Sequence, residues 1–416
     1  METLVKKPPM GALSPKPKSK EKREKSYHLF KTEDRARDVA LYYGFMPVGS
    51  ALPITKEDTQ KAKGLIEGEL KARSEGLAVS PEEKVAVMMH CFNKNLIDET
   101  RPAMLYFEGF AGNAGKRKSP KERRADLEII GTGKSIAEAI LIQTSLAILR
   151  EEGYKNLFVE INSVGDKESL ARFTKELGNH YRKNLHLLAP QCKTAARKDV
   201  FEAYSCGLDK CKTVRDSAPK SVSFLSEQSR NHFTEVLEFL EELGVPYRMA
   251  HFLVGHRSLC TETLFEIRDG KEGEAGELLG IGCRYNSLAK KLGFKRDVPS
   301  VGVHLSYRRI SNEVRRPVKI KRPSIYFLQL GNEAKRKSLI VIEILRQAKI
   351  PIYQSLPSDK LVAQIGNAEN LRIPYSIIMG QKEAMENSVI VRNSSTRAQE
   401  TVKIGVLPEY LKKLKM

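Results

Sequence analysis

Strand-like and helix-like segments alternate through the C-terminal quarter of the sequence, and this alternation constrains the fold more than any other feature. Apolar runs typical of strands, such as IYFLQLG (325–331) and PYSIIMG (374–380), are separated by helical patterns at 333–348 and 359–371. Strands that alternate with helices at this spacing form a mostly parallel sheet covered by the helices. The sequence therefore predicts a small α/β domain over 323–416.

The preceding region, 28–314, predicts a second and larger domain of strands and long helices. Ser80 and Ser226 each begin an amphipathic helix as a side-chain cap, the first followed by proline and two glutamates. Strand patterns at 104–110 and 125–131, joined by a Gly-, Lys- and Arg-rich loop, predict a hairpin.

Two segments have the composition of connections. Residues 315–322 are basic and interrupted by proline, which is typical of a linker. Residues 1–27 are rich in Lys and Pro and poor in large apolar residues, which predicts a disordered basic tail.

The charge of the chain favours polyanionic partners. Lys and Arg number 71 against 51 Asp and Glu, a formal charge of +20. Phosphates release counterions when Lys and Arg bind them, so we expect a nucleic acid, with an ordinary basic surface as the competing interpretation. No run approaches the ~20 apolar residues of a membrane span, and the first residues lack the apolar core of a signal peptide. Together with only six cysteines, these features predict a cytoplasmic protein without membrane segments.

Two local motifs are poor matches to ligand sites. GTGKS (131–135) ends like a phosphate-binding P-loop, but position 128, which would be glycine in that motif, is glutamate. Cys192, Cys206 and Cys211 lie close together in sequence, yet their spacing lacks the CxxC pairs of zinc sites. We expect neither a P-loop nor a structural metal.

Several segments, in order, resemble histidyl-tRNA synthetase, a class II aminoacyl-tRNA synthetase, over roughly residues 30–416. They include LFVEINSVGD (157–166), the SEQSRNHF helix, TLFEI followed by GCRYNSL (282–288), and LPSDKLVAQIGNAENLRIPYSIIMG (356–380). The resemblance implies an α/β multidomain protein, with an antiparallel six-stranded catalytic sheet flanked by helices and a C-terminal α/β anticodon-binding domain. It also implies the family reaction, in which ATP with Mg²⁺ activates histidine for transfer to tRNA, and a homodimer.

The resemblance also implies site residues, position by position. SPEEK (80–84) stands where the family has RPEGT, so Glu82 would bind the substrate ammonium, with Glu128 and Tyr285 as further histidine-binding residues. Arg309, at the end of class II motif 3, would hold ATP. Lys360, Gln364 and Asn367 lie at spacing that puts them on one helix face and would contact RNA, against the competing interpretation of a solvated face.

The catalytic cations depart from the family pattern. The motif 2 arginine that clamps the α-phosphate falls near Asn113 and Gly115, and the histidine-specific loop RGLDYYT is GHRSLCT (255–261) here. The catalytic arginine of that loop thus becomes Gly255, and its two tyrosines become Leu259 and Cys260. Arg257 is the candidate replacement catalytic residue. Losing a preorganised cation at a developing phosphate charge costs ~3 kcal/mol or more, so we expect little histidine activation.

Three functions remain open at this stage. The first is a synthetase-like protein that binds tRNA or a related RNA and is impaired in or lacks histidine activation. The second is a divergent but active histidine–tRNA ligase. The third is a regulatory paralogue like the synthetase-derived subunit of ATP phosphoribosyltransferase, which the C-terminal domain disfavours because that relative usually lacks it.

Overall fold

The computed structural model describes residues 30–32, 35–48, 51–65, 79–97, 102–111, 122–271, 273–310, 318–320, 323–354 and 361–414. The predicted tail 1–27, together with Asn113, Gly115 and Lys360, lies outside them. Within the described ranges, no helix is both long and apolar enough to cross a membrane.

Strands and helices alternate irregularly along the chain. The strands are β1 (Phe30–Thr32), β2 (Met46–Pro47), β3 (Leu52–Pro53), β4 (Ala103–Phe107), β5 (Phe110–Ala111), β6 (Glu122–Ile130), β7 (Leu157–Gly165), β8 (Tyr247–Met249), β9 (Thr261–Asp269), β10 (Glu277–Arg284), β11 (Ser300–Arg308), β12 (Val318–Ile320), β13 (Ile325–Gln329), β14 (Tyr353–Gln354), β15 (Tyr375–Met379), β16 (Ser388–Asn393) and β17 (Gln399–Lys403). The helices are α1 (Arg35–Tyr42), α2 (Lys56–Leu65), α3 (Pro81–Asn93), α4 (Ile136–Glu151), α5 (Lys167–Lys183), α6 (Pro190–Lys198), α7 (Val200–Tyr204), α8 (Asp209–Asp216), α9 (Glu227–Glu242), α10 (Leu288–Lys291), α11 (Asn332–Gln347), α12 (Leu361–Asn370), α13 (Gln381–Met385) and α14 (Leu407–Lys413).

The large sheet has the strand order β2-β4-β6-β11-β10-β9-β7-β8. Its six central strands, β4-β6-β11-β10-β9-β7, are all antiparallel, which confirms the predicted six-stranded antiparallel sheet. β2 and β8 extend it by parallel pairing at the two edges. These edge strands have two and three residues, too few to give a period-two signal in the sequence.

Helix α4 covers one face of this sheet. All but its last two residues are buried, so its aliphatic residues need no amphipathic stripe. The other face carries α3 and the helical segment α5–α8, and the buried carboxylate Glu128 lies on that face. The predicted caps are confirmed, because Ser80 Oγ accepts from the Glu83 amide at 3.3 Å and Ser226 Oγ accepts from the Ser229 amide at 3.2 Å.

The C-terminal sheet has the order β14-β13-β15-β16-β17. Only β14, β13 and β15 are parallel, while β16 and β17 are antiparallel. The prediction of a mostly parallel sheet was therefore wrong for its last two strands. The reason is a tight turn after β16, where the Asn393 side chain accepts from the amides of Ser395 and Thr396 and returns the chain as β17.

Two further contacts join distant parts of the chain. β12 pairs with β1, so a short strand lies inside the segment predicted to be a linker. α11 packs against α4, where Gln143 Nε2 donates to the Leu339 carbonyl at 3.0 Å and Arg346 Nη1 lies 3.1 Å from Glu151 Oε1.

Candidate functional site

A buried carboxylate lies at the centre of the large sheet. Glu128, on β6, is fully buried; it pairs with Lys84 Nζ of α3 and accepts from the Tyr285 hydroxyl at 2.6 Å. The Lys84 ammonium also lies 5.4 Å from the centre of the Tyr285 ring, a cation–π contact. Gly302 on β11 is the strand partner of Glu128, and a Cβ there would overlap the carboxylate. The missing side chain at Gly302 is what makes room for Glu128.

The Lys84–Glu128 pair carries no net negative charge. Burial raises the pKa of Glu128, while Glu128 raises the pKa of Lys84 against the effect of burial. Burial and the neighbouring Glu128 also raise the pKa of Tyr285 well above its usual value, so the phenol stays protonated and donates. A ligand ammonium that reached this carboxylate would meet one already neutralised by Lys84.

A second titratable cluster adjoins the first on the same face. Asp126 Oδ1 lies 2.7 Å from His304 Nδ1, and a carboxylate oxygen of Glu83 lies within 4.8 Å of both residues' ligand atoms. Burial and Asp126 raise the pKa of Glu83 to about 7. Although burial opposes the imidazolium, Asp126 raises the pKa of His304. Glu83 therefore titrates near neutral pH, beside the Asp126–His304 pair.

The corner after β10 is held by a buried arginine. Arg284 has no exposed surface; its guanidinium pairs with both oxygens of Glu138 and donates to the Thr132 carbonyl at 2.9 Å. Although burial opposes ionisation, Arg284 and His232 lower the pKa of Glu138 to about 2. This bidentate pair fixes the backbone that presents Tyr285.

Glu82 is not brought into the buried cluster. Its carboxylate accepts from Ser80 Oγ at 3.0 Å, at the first turn of α3. Of the three predicted histidine-binding residues, the structure brings Glu128 and Tyr285 together and leaves Glu82 bonded to the cap of its own helix.

The loop at 255–261 is closed around its small residues. Gly255 has φ of 60°, and a Cβ there would lie 2.6 Å from Leu264 Cδ2 and 2.8 Å from Cys260 Sγ. Leu259 and Cys260 are buried at 1% exposure each. A side chain at 255, including an arginine, cannot be accommodated without moving this packing.

Arg257 is engaged by the helical segment above the sheet. Its guanidinium pairs with Asp199, the N-cap of α7, and lies 4.6 Å from the centre of the Phe201 ring. The predicted catalytic replacement is thus held by the N-cap residue of α7 and by a ring on that helix.

Arginines also line the end of β11. Arg309 Nε lies 3.7 Å from Glu152 Oε2, beside the C-terminus of α4. Alternation along the strand instead places Arg308 on the face of His304 and Ser306, and Arg124 is the strand partner of Ser306. Sequence reasoning missed Arg308 as a candidate cation, although it is adjacent to the predicted Arg309.

The residues predicted to form an RNA-binding face on α12 differ in their burial. Gln364 is fully buried and bonds to both backbone groups of Gln329, at 3.0 and 2.9 Å, so it ties α12 to β13. Asn367 is half-buried, while Val362 is 83% exposed. Helical spacing alone could not say which face of α12 meets the sheet.

The GTGKS segment opens onto a pocket with mixed charges. A cavity of about 460 Å³ is lined by Gly133, Lys134, Ser135 and the first turns of α9, including Glu227 and Glu235. Ser135 Oγ donates to Glu235 at 2.6 Å. Two carboxylates at its wall disfavour a phosphate, although Lys134 lines the same pocket.

Comparisons with known proteins show which proteins this chain is similar to. The family model described as an anticodon binding domain matches residues 324–414. Histidine–tRNA ligase of Fervidobacterium nodosum is 27% identical over 383 residues, 88% of this chain and 90% of the relative. That of Halothermothrix orenii is 25% identical over 398 residues, 92% of this chain and 94% of the relative. The chain is therefore similar to histidine–tRNA ligases over most of its length. The structure of apo histidyl-tRNA synthetase from S. aureus is similar with a TM-score of 0.48 and 23% identity, over 92% of this chain and 94% of that one.

Within the synthetase family's RPEGT segment, two positions carry new charges here. Glu83 stands where the family has glycine, and Lys84 stands where it has threonine. Lys84 supplies the cation on Glu128, and Glu83 joins Asp126 and His304. Sequence reasoning compared only positions 80 and 82 of this segment, although the substitutions at 83 and 84 are visible in it.

Proposed function

We propose that this chain is an RNA-binding member of the histidyl-tRNA synthetase family that lacks efficient histidine activation. The observation that carries the proposal is the pairing of Lys84 with Glu128. Binding of histidine at Glu128, one of the residues predicted to bind it, relies on a carboxylate with uncompensated charge. Displacing Lys84 from it would leave a buried cation unpaired, at a cost of several kcal/mol.

The altered loop supports the same proposal. Catalysis in such a site depends on cations placed in advance at the developing charge. Gly255 offers none, and Arg257 would have to leave both Asp199 and Phe201 to replace it. Each such loss alone costs about 10²-fold or more, and losses in one unit do not add simply.

Nucleotide binding remains compatible with the site. Arg308 is exposed, Arg124 is partly exposed, and both lie on the sheet face that carries Ser306, so they offer cations to a phosphate chain. Arg124 lies 3.7 Å from Glu122, as Arg309 does from Glu152, so each of these two would contribute on release from its carboxylate. ATP with Mg²⁺, if bound, would supply the phosphoanhydride for activation, and we propose weak ATP binding without turnover.

RNA is the proposed partner. The match of residues 324–414 to an anticodon binding domain and the charge of +20 support tRNA or a related structured RNA. Six cysteines without a disulfide pattern fit a reducing compartment, so we place the protein in the cytoplasm. A homodimer, as the family resemblance implies, is part of the proposal.

Pyrophosphate exchange tests the catalytic half of the proposal. With histidine and ATP, we expect exchange at least ~10²-fold below that of a family member with intact motifs. Filter binding tests the other half: tRNA should be retained at about 50 mM salt and lose affinity by orders of magnitude near 200 mM. Robust exchange would overturn the first half, and no retention at low salt would overturn the second.

An active ligase is the second candidate, favoured by the retained contact between Glu128 and Tyr285. If exchange is robust, Arg257→Ala should abolish it. Arg248→Ala is the matched control, because Arg248 likewise stacks on an aromatic ring, that of Phe158, but lies on edge strand β8.

A further inference from the structure

Three cysteines from separate helical elements meet inside the segment between β7 and α9. Cys192 lies in the first turn of α6, Cys206 follows α7, and Cys211 lies in the first turn of α8. Their sulfur atoms all lie within 4.8 Å of one another, and the three side chains are at most 5% exposed. The six cysteines of the chain all fall within the described ranges, and none forms a disulfide.

Backbone donors point at two of these sulfurs. The Leu208 amide donates to Cys206 Sγ at 3.5 Å, and the Ala189 amide donates to Cys211 Sγ at 3.4 Å. Amide donors and the first turns of helices both stabilise thiolate over thiol. Arg215 adds a positive charge by donating to the Cys206 carbonyl at 2.9 Å.

The cluster is crowded for three thiols alone. Cys192 Sγ lies 2.9 Å from Cys206 Sγ, closer than unbonded sulfurs prefer. A cation among the sulfurs would replace this close contact with metal–sulfur bonds.

We propose that Cys192, Cys206 and Cys211 bind one Zn²⁺ ion. All-thiolate donors select soft or borderline cations. Zn–S bonds of about 2.3 Å in a tetrahedron separate the sulfurs by about 3.8 Å. This lies below the 4.8 Å limit of the cluster and above the 2.9 Å between Cys192 and Cys206, so these two sulfurs would move apart on binding. The three thiols give their protons to solvent as the Zn–S bonds form. No fourth His, Cys, Asp or Glu of the described residues joins the cluster, so a solvent molecule takes the fourth position.

The sequence argued against a metal site because these cysteines lack the CxxC spacing. Each cysteine comes from a different helical element, and the packing of those elements brings the three sulfurs together without a CxxC turn. The ion would fasten α6, α7 and α8 to one another, and with them Asp199 and Phe201, the two residues that hold Arg257. The proposed role of the ion is therefore to position the loop 255–261, which contains Arg257.

Metal analysis of the full chain, purified under reducing conditions, tests this proposal. We expect about one equivalent of Zn²⁺ per chain after dialysis against a weak chelator. Replacing Zn²⁺ with Co²⁺ should give thiolate-to-metal charge-transfer bands and the strong visible bands of a tetrahedral site. Cys192→Ala, Cys206→Ala and Cys211→Ala should each lose the ion, whereas Cys91→Ala, which removes another buried thiol, should keep it.

The Co²⁺ spectrum of the unaltered chain keeps the test decisive even if a variant fails to fold. Absence of both bound Zn²⁺ and thiolate bands after loading would overturn the proposal. So would a Cys192–Cys206 disulfide in chains trapped with a thiol reagent before purification, because oxidised sulfurs cannot ligate the ion. Retention of Zn²⁺ in all three cysteine variants would place the metal elsewhere and also overturn it.

Discussion

Lys84 sets the charge of the buried site because its ammonium is the cation paired with Glu128. We predict that Lys84→Met destabilises the chain by about 3–5 kcal/mol, since it leaves a buried carboxylate unpaired. The double variant Lys84→Met with Glu128→Gln should recover much of that loss. Urea unfolding of the four proteins in this cycle gives the coupling energy, and additive losses would contradict a mutually neutralising pair.

Glu83 gives the same site a pH dependence. Its pKa is raised to about 7 in the folded chain from an ordinary value of 4.5, so the folded state binds more protons than the unfolded state between those pH values. The free energy of unfolding should therefore fall as pH rises from about 4.5 to 7. The raised pKa of His304 acts in the same direction, because stability from a paired imidazolium is lost as pH rises through its folded pKa.

Glu83→Gln isolates this effect. The variant removes the titrating carboxyl and also the negative charge that helps to raise the pKa of His304. The free energies of unfolding at about pH 5 and about pH 7.5 should differ less in the variant than in the unaltered chain. Equal differences in the two proteins would show that Glu83 does not titrate in this range.

At the scale of elements, helix starts are the most predictable features of this chain. Ser226 connects two of them, because its Oγ accepts from the Ser229 amide at 3.2 Å and donates to Oδ2 of Asp166, the N-cap residue of α5, at 2.7 Å. We predict that Ser226→Ala costs about 1–2 kcal/mol, because two helix starts lose a bond. Ser226→Thr keeps the hydroxyl and should cost less than half as much; equal losses in urea unfolding would contradict the capping role.

The sequence predicts those features that are determined by residues close together in the chain, and it misses those that depend on tertiary packing. Ser80 and Pro81 mark the start of α3 within a few residues, and the central strands are long enough to be seen as apolar runs. By contrast, Gln364 faces β13 and the three cysteines converge only because of tertiary packing. The Lys84–Glu128 pair joins residues from α3 and β6, so the motif shows that a lysine is present but not what it neutralises.

At the scale of the whole molecule, the C-terminal domain has a sheet of its own and also contacts the larger domain. In the part of the chain that the structure describes, its five strands pair only with one another, while α11 contacts α4 through Gln143 and Arg346. We predict that the fragment 323–416 folds alone, with a cooperative thermal transition by circular dichroism, at lower stability because that face of α11 becomes exposed. A fragment without helical signal would contradict the domain boundary proposed here.

The same domain should carry RNA binding through its fold and not merely its charge, and the chain offers a matched control. Residues 323–416 contain 14 basic and 8 acidic residues, a net charge of +6, while residues 1–27 contain 8 and 3, a net charge of +5. If counterion release alone governs binding, deleting either segment lowers affinity and the salt slope by similar amounts. We predict a much larger loss of tRNA affinity on deleting 323–416, by at least ~10-fold more than on deleting 1–27, because oriented contacts on a rigid surface add to the unspecific attraction. Filter binding at three salt concentrations separates counterion release from oriented contacts. Equal losses of tRNA affinity in the two deletions would show that the domain contributes only its positive charge.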